Sequence, residues 1–122
     1  MTLRLDHAAP ILPAFAYDKS LAFFKSLGFD VTEYDRYAVM RMGGADIHLQ
    51  ATKDRSQSEN SVCYLYVSNV DAFYSIALAR GAVALQPPAD REWGARECAV
   101  ADPSGILLRV GTARKSRKRK GV

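Results

Sequence analysis

Asp18-Lys19-Ser20-Leu21-Ala22-Phe23-Phe24-Lys25-Ser26-Leu27-Gly28 reads as one short amphipathic helix with both ends marked. Leu21, Phe24 and Leu27 recur every third residue and share one helical face, with Phe23 beside them. Asp18 is a good cap for the amino end, and Gly28 supplies the left-handed residue that closes the other. The device returns about 50 residues later, where Asn69 caps Val70–Arg80 and Gly81 stops it. Both helices carry a small residue, Phe and a second aromatic before their glycine: Ala22-Phe23-Phe24 and Ala72-Phe73-Tyr74. The repeat decides the fold, because each copy is flanked in the same way.

Residues 2–12 read as a first strand, ending at Pro10 and Pro13. After the first helix come strand-like runs at Phe29–Tyr34, Tyr37–Met42 and Ala45–Ala51, the last two joined by a Gly43-Gly44 hairpin turn. Residues 52–60 form a polar linker. Val62–Val67 then precedes the second helix, and Val83–Leu85, Arg96–Ala101 and Ile106–Val110 follow it. Asp102-Pro103-Ser104-Gly105 is a turn, with Pro at its second position and Asp at its first. Strand–helix–strand–strand–strand therefore occurs twice. The expected fold is α+β: two βαβββ modules, about 1–52 and 61–111, forming a curved mixed eight-stranded sheet around a cleft.

The chain has 122 residues, 48% of them hydrophobic and 25% charged, ordinary usage for one globular domain. The net charge of +4 misleads, because Arg114–Lys120 contributes six positive charges. Without that run the body has 11 basic against 13 acidic residues, so residues 113–122 read as a solvated, disordered basic tail on a domain spanning 1–112. No basic–aromatic face accompanies the tail, and nucleic acid is not expected as a partner. The amino end has no long apolar run and no stretch approaches membrane length, so a soluble, cytoplasmic protein is expected. Cys63 and Cys98, 35 positions apart, suit neither a disulfide framework nor a zinc site and read as free thiols.

Three segments resemble the vicinal oxygen chelate superfamily of glyoxalases, extradiol dioxygenases, fosfomycin-resistance enzymes and bleomycin-resistance proteins. They are Ala9–Pro13 leading into Ser20–Phe29, Glu92-Trp93-Gly94, and Asp102–Arg109. The resemblance covers about residues 3–111. The Pro10-Ile11-Leu12-Pro13 opening and Glu92-Trp93-Gly94 are closest to the bleomycin-resistance branch.

By that resemblance, metal ligands would fall at His7, at His48 or Gln50, at Cys63 and at Arg109. His7 and His48 are competent ligands. Arg109 departs from the pattern, since metal enzymes of the family carry a carboxylate there and a guanidinium stays charged. No metal or other cofactor is expected. Nothing in the spacing pairs His7, His48 and Glu97 for acid–base work, and there is no nucleophile motif or phosphate loop. Trp93, the only tryptophan, lies in a polar loop and reads either as an edge of the core or as a stacking surface.

The resemblance implies a non-enzymatic protein that sequesters an aromatic or drug-like molecule in a homodimer crevice, with Trp93, Arg109, Cys63, His48 and Tyr37 as ligand-binding candidates. The alternative it implies is a metal-dependent lyase, isomerase or thiol transferase using His7 and His48. A third reading, a nucleic-acid accessory protein, would rest on the tail. Bleomycin is cationic, and a body near −2 with Arg96 and Arg109 on neighbouring strands is less acidic than its capture would favour.

Overall fold

The structure, a computed structural model, describes residues 1–112. The expected basic tail lies outside them. In chain order the elements are β1 (Ile11–Ala14), α1 (Tyr17–Leu27), β2 (Asp30–Tyr34), β3 (Tyr37–Met42), β4 (Ala45–Ala51), α2 (Arg55–Glu59), β5 (Val62–Tyr66), α3 (Val70–Ala79), β6 (Val83–Asp90), β7 (Arg96–Ala101) and β8 (Leu107–Gly111). The eight strands divide into two sheets, ordered β1-β4-β3-β2 and β5-β8-β7-β6. In each, the strand before the helix runs parallel to the module's last strand, and the other pairs are antiparallel. Two βαβββ modules with the same topology thus make an α+β fold.

The strands alternate, and one face of each sheet packs inward. Leu12, Ala14, Ala38, Met40, Ile47 and Leu49 come from the first sheet and Cys98, Val100, Leu108 and Val110 from the second, joined in one cluster with Phe23, Phe24 and Tyr17 of α1. A polar seam crosses between the modules. Ser20 Oγ of α1 donates to Asp102 Oδ2 at 2.5 Å and lies 2.5 Å from Ser104 Oγ, all three residues being buried. Asp102 Oδ1 accepts from the N–H groups of Ser104 and Ile106. Burial raises the Asp102 carboxyl above its usual range, and its hydrogen bonds oppose that shift.

Four local expectations change. Regular pairing of the first strand is limited to Ile11–Ala14; residues 1–10 have no strand, although the Pro10 carbonyl accepts from His48 N–H. Helix α1 begins at Tyr17, two residues before the Lys19 that an Asp18 cap would place first, so Ala16 and not Asp18 occupies the cap position. Ser104 Oγ and Ser58 Oγ accept from the N–H groups of Ala16 and Phe15, fixing the chain's entry to the helix from distant parts of the sequence. The 52–60 linker contains α2, capped by Asp54, whose side chain accepts from Ser56 N–H. Strand β6 runs to Asp90 through Pro87-Pro88, which an outer strand tolerates because one side of its ladder is unpaired and its register shifts there. The stops at Gly28 and Gly81 have positive φ, 111° and 104°.

Candidate functional site

The faces turned away from the core differ in chemistry. On the first sheet, alternation along β4 places Asp46, His48 and Gln50 opposite Ile47 and Leu49, and register aligns them with Arg41, Val39 and Tyr37 of β3. Asp46 is the hub. His7 Nε2 donates to Asp46 Oδ2 at 2.8 Å, Arg41 Nε stands 3.6 Å from the same oxygen, and His48 Nε2 lies 3.7 Å from Oδ1. That second oxygen is buried and has no hydrogen-bond partner. Tyr37 Oη and His48 Nδ1 share a 2.6 Å hydrogen bond, their rings edge to face. A carboxylate facing Nε2 favours the tautomer protonated there, which leaves Nδ1 to accept from the tyrosine.

On the second sheet, Tyr64 and Tyr66 of β5, Arg109 and Gly111 of β8, and Glu97 and Ala99 of β7 turn away from the core. Tyr64 Oη donates to Glu97 Oε2 at 2.5 Å, crossing directly over Gly111. A Cβ at position 111 would lie well inside contact distance of that oxygen and 3.2 Å from Glu97 Cγ, so this hydrogen bond requires glycine. Burial first, and then Glu97, push the Tyr64 phenol up to about 12, so it stays protonated and donates at neutral pH. Arg91 Nε faces Glu97 Oε1 at 3.6 Å, too long for a hydrogen bond; it is buried with no partner. Arg109 is directly paired in register with Tyr64 and Ala99, and its side chain is exposed.

The six sequence candidates therefore separate. His7, His48 and Tyr37 gather around Asp46 on the first sheet. Arg109 sits beside the Tyr64–Glu97 pair on the second, and Trp93, in the turn between β6 and β7, is 46% exposed and outside the core. Cys63 is turned the other way: with Leu65 and Val67 it packs against the core, and burial raises its thiol pKa. Arg96 is held by Asp71 on α3 at 2.8 Å and Asp90 at 3.1 Å. Sequence reasoning missed Asp46 and did not pair Tyr64 with Glu97, because these partners come from strands whose register the sequence does not state. Glu97, which nothing in the spacing pairs, is buried.

The donors around Asp46 do not fit a divalent ion. Both imidazoles are directed at a carboxylate that a guanidinium also faces, and among the described residues no group of three or more His, Cys, Asp or Glu side chains is arranged to hold a metal.

A sequence model of the Glyoxalase/Bleomycin resistance protein/Dioxygenase superfamily matches residues 4–110. The chain belongs to that superfamily. Within it, a bleomycin resistance protein of Klebsiella pneumoniae is 30% identical over 115 residues, 86% of this chain and 90% of that protein. The crystal structure of a bleomycin resistance determinant encoded on the transposon Tn5 matches with a TM-score of 0.73 at 25% identity, over 88% of this chain and 98% of that one. A bleomycin-binding protein complexed with bleomycin matches with a TM-score of 0.71 at 26% identity, over 89% of this chain and 99% of that one. Superfamily members share this architecture, so what the chain does must be argued from the two faces. Among the described residues no helix is long and apolar enough to cross a membrane.

Proposed function

We propose that this protein sequesters a planar, largely apolar small molecule without altering it, in a crevice completed by a second copy of the chain. The carrying observation is that aromatic and aliphatic side chains stand exposed on the outward sheet faces and in the loop beside them: Ile11, Tyr34, Val62, Tyr66 and Trp93. Tyr64 and Tyr66 set their ring centroids 4.8 Å apart on one of these faces, and contiguous exposed apolar surface marks a binding or association surface. The polar groups beneath it are engaged with one another: Tyr37 with His48, His7 with Asp46, and Tyr64 with Glu97. They are suited to shaping a surface and orienting a guest. The bleomycin-binding relatives support a sequestering role, and the usual twofold symmetry of small oligomers supports the dimer. Two free thiols, Cys63 and Cys98, suit a reducing, cytoplasmic setting.

Trp93 provides the test. A planar aromatic probe should quench its fluorescence with saturation near one probe per crevice, and Trp93→Ala should weaken binding by about 1–3 kcal/mol. Light scattering should give a dimer. A monomer that shows no saturable quenching would end this reading. The rival, a metal-dependent enzyme, draws on the convergence of His7 and His48 on Asp46. It requires micromolar zinc, nickel or manganese to raise the melting temperature by several degrees; the sequestration reading expects no change after chelator dialysis.

A further inference from the structure

The two modules meet at an open-sided cavity of about 580 Å³ that shares no residue with the Asp46 or Glu97 clusters. Helix α1 supplies Lys19, Ala22 and Phe23 to its lining, and Arg80, Val83 and Pro103 come from the second module. Small-molecule sites commonly measure about 300–1,000 Å³, lie between structural units and set a few polar groups in an apolar wall. This cavity has that make-up. Ala22, Phe23, Val83 and Pro103 are apolar, and Lys19 and Arg80 carry charge.

The open charge there is positive. Lys19 and Arg80 make no ion pair among the described residues, whereas Arg4, Arg36 and Arg96 each face a carboxylate. Arg80 donates from Nη1 to the Ser26 carbonyl at 2.7 Å, which ties the end of α3 to the last turn of α1 and holds the guanidinium at the cavity. Its other nitrogens make no hydrogen bond among the described residues. Asp102 is the one acid in the lining, and it is 2% exposed. The Ser20 hydroxyl and the N–H groups of Ser104 and Ile106 already occupy its two oxygens, so it closes the wall without presenting an open acceptor.

We propose that this cavity between the modules binds an amphipathic organic anion, its apolar body against Phe23, Val83 and Pro103 and its carboxylate or sulfonate received by Lys19 and Arg80. Hydrogen bonds from charged donors to an anion are the strong ones, and the apolar wall selects for a body behind the charge. This site is separate from the sequestration crevice and stands or falls without it.

Three probes divide the contributions: naphthalene-2-sulfonate, the neutral naphthalene-2-sulfonamide and inorganic sulfate, each titrated into the full chain and followed by amide and indole NMR shifts. The sulfonate should shift the Ala22, Ser26 and Gly81 amides with saturation, and bind about fivefold or more tighter than either of the others. Arg80→Gln and Lys19→Gln should each weaken the sulfonate about two- to fivefold, as loss of an exposed ion pair does, and leave the sulfonamide unchanged. Arg80→Lys keeps the charge and should retain most of the preference. Ala22→Trp fills the cavity from an exposed helix position and should block both naphthyl probes. Equal affinity for sulfonate and sulfonamide, or a sulfonate preference that survives in the Lys19→Gln, Arg80→Gln double variant, overturns the anion assignment. Shifts confined to the Trp93 indole and its loop overturn the site and leave sequestration standing. No saturable shift of the Ala22, Ser26 or Gly81 amides by any probe overturns it as well. The wild-type series decides the matter by itself should a variant fail to fold.

Discussion

The two modules share a topology, yet their helices do different work. Helix α1 buries Tyr17, Ser20, Leu21, Phe23 and Phe24, and it contacts both sheets' core residues and the Asp102 turn. Helix α3 buries only Val70 and Ala77, and Ile76 on it is 46% exposed. A duplicated backbone therefore does not share the load equally: the first helix holds the molecule together, and the second covers its own sheet. The outward faces diverge as well, one collecting histidines around Asp46 and the other setting Tyr64 and Arg91 against Glu97.

Phe23 and Phe73 occupy the same place in the repeated triplet, so truncating each is the most direct challenge to this asymmetry. Phe23→Ala should cost about 3–5 kcal/mol by denaturant titration, the range for a fully buried aromatic, and Phe73→Ala about half as much or less. Equal losses would mean that the helices share the load after all. The second contrast sets Gly111 against Gly44. Gly111→Ala forces Tyr64 off Glu97 and should destabilise by about 1–3 kcal/mol, as overpacking does, whereas Gly44→Ala meets open space and should stay within about 0.5 kcal/mol. A crystal structure of Gly111→Ala that still joined Tyr64 to Glu97 would refute the account of that face.

The smallest effect concerns the seam and is read by pH. Because burial lifts Asp102 above its ordinary 3.8, the folded state holds this proton more tightly than the unfolded chain. Its contribution is present below the unfolded pKa and is lost as pH rises through the folded one. Wild-type stability relative to Asp102→Asn should therefore fall as pH is raised from about the ordinary carboxyl value upward. A difference that grew with pH would mean that the hydrogen bonds from Ser20, Ser104 and Ile106 outweigh burial.

The order of elements was legible because helices and hairpins announce themselves locally, as at Asn69, Gly81 and Gly43-Gly44. What escaped the sequence has tertiary causes. The entry to α1 is fixed by Ser58 and Ser104, so Asp18 was the wrong residue to seek. In β6, Pro87-Pro88 reads as a break until the strand is known to lie at an edge. Helix α2 has too little apolar periodicity to notice, although Asp54 before Ser56 is a cap signal that was there to be read. Of the site, Arg109 and Trp93 stood out by type and isolation. Asp46, Tyr64 and Glu97 acquire meaning only from neighbours brought in by strand register.

The seam also imposes a timetable on synthesis. The ribosome delivers Ser20 long before its acceptor, since Asp102 lies 82 positions further along. Until that turn has emerged, the nascent first half has an apolar helix face without its second sheet and a hydroxyl without its carboxylate. It cannot settle into its final packing while the chain is being made. Nearly all of the described sequence must leave the exit tunnel before the first helix finds its place, so the two halves mature together.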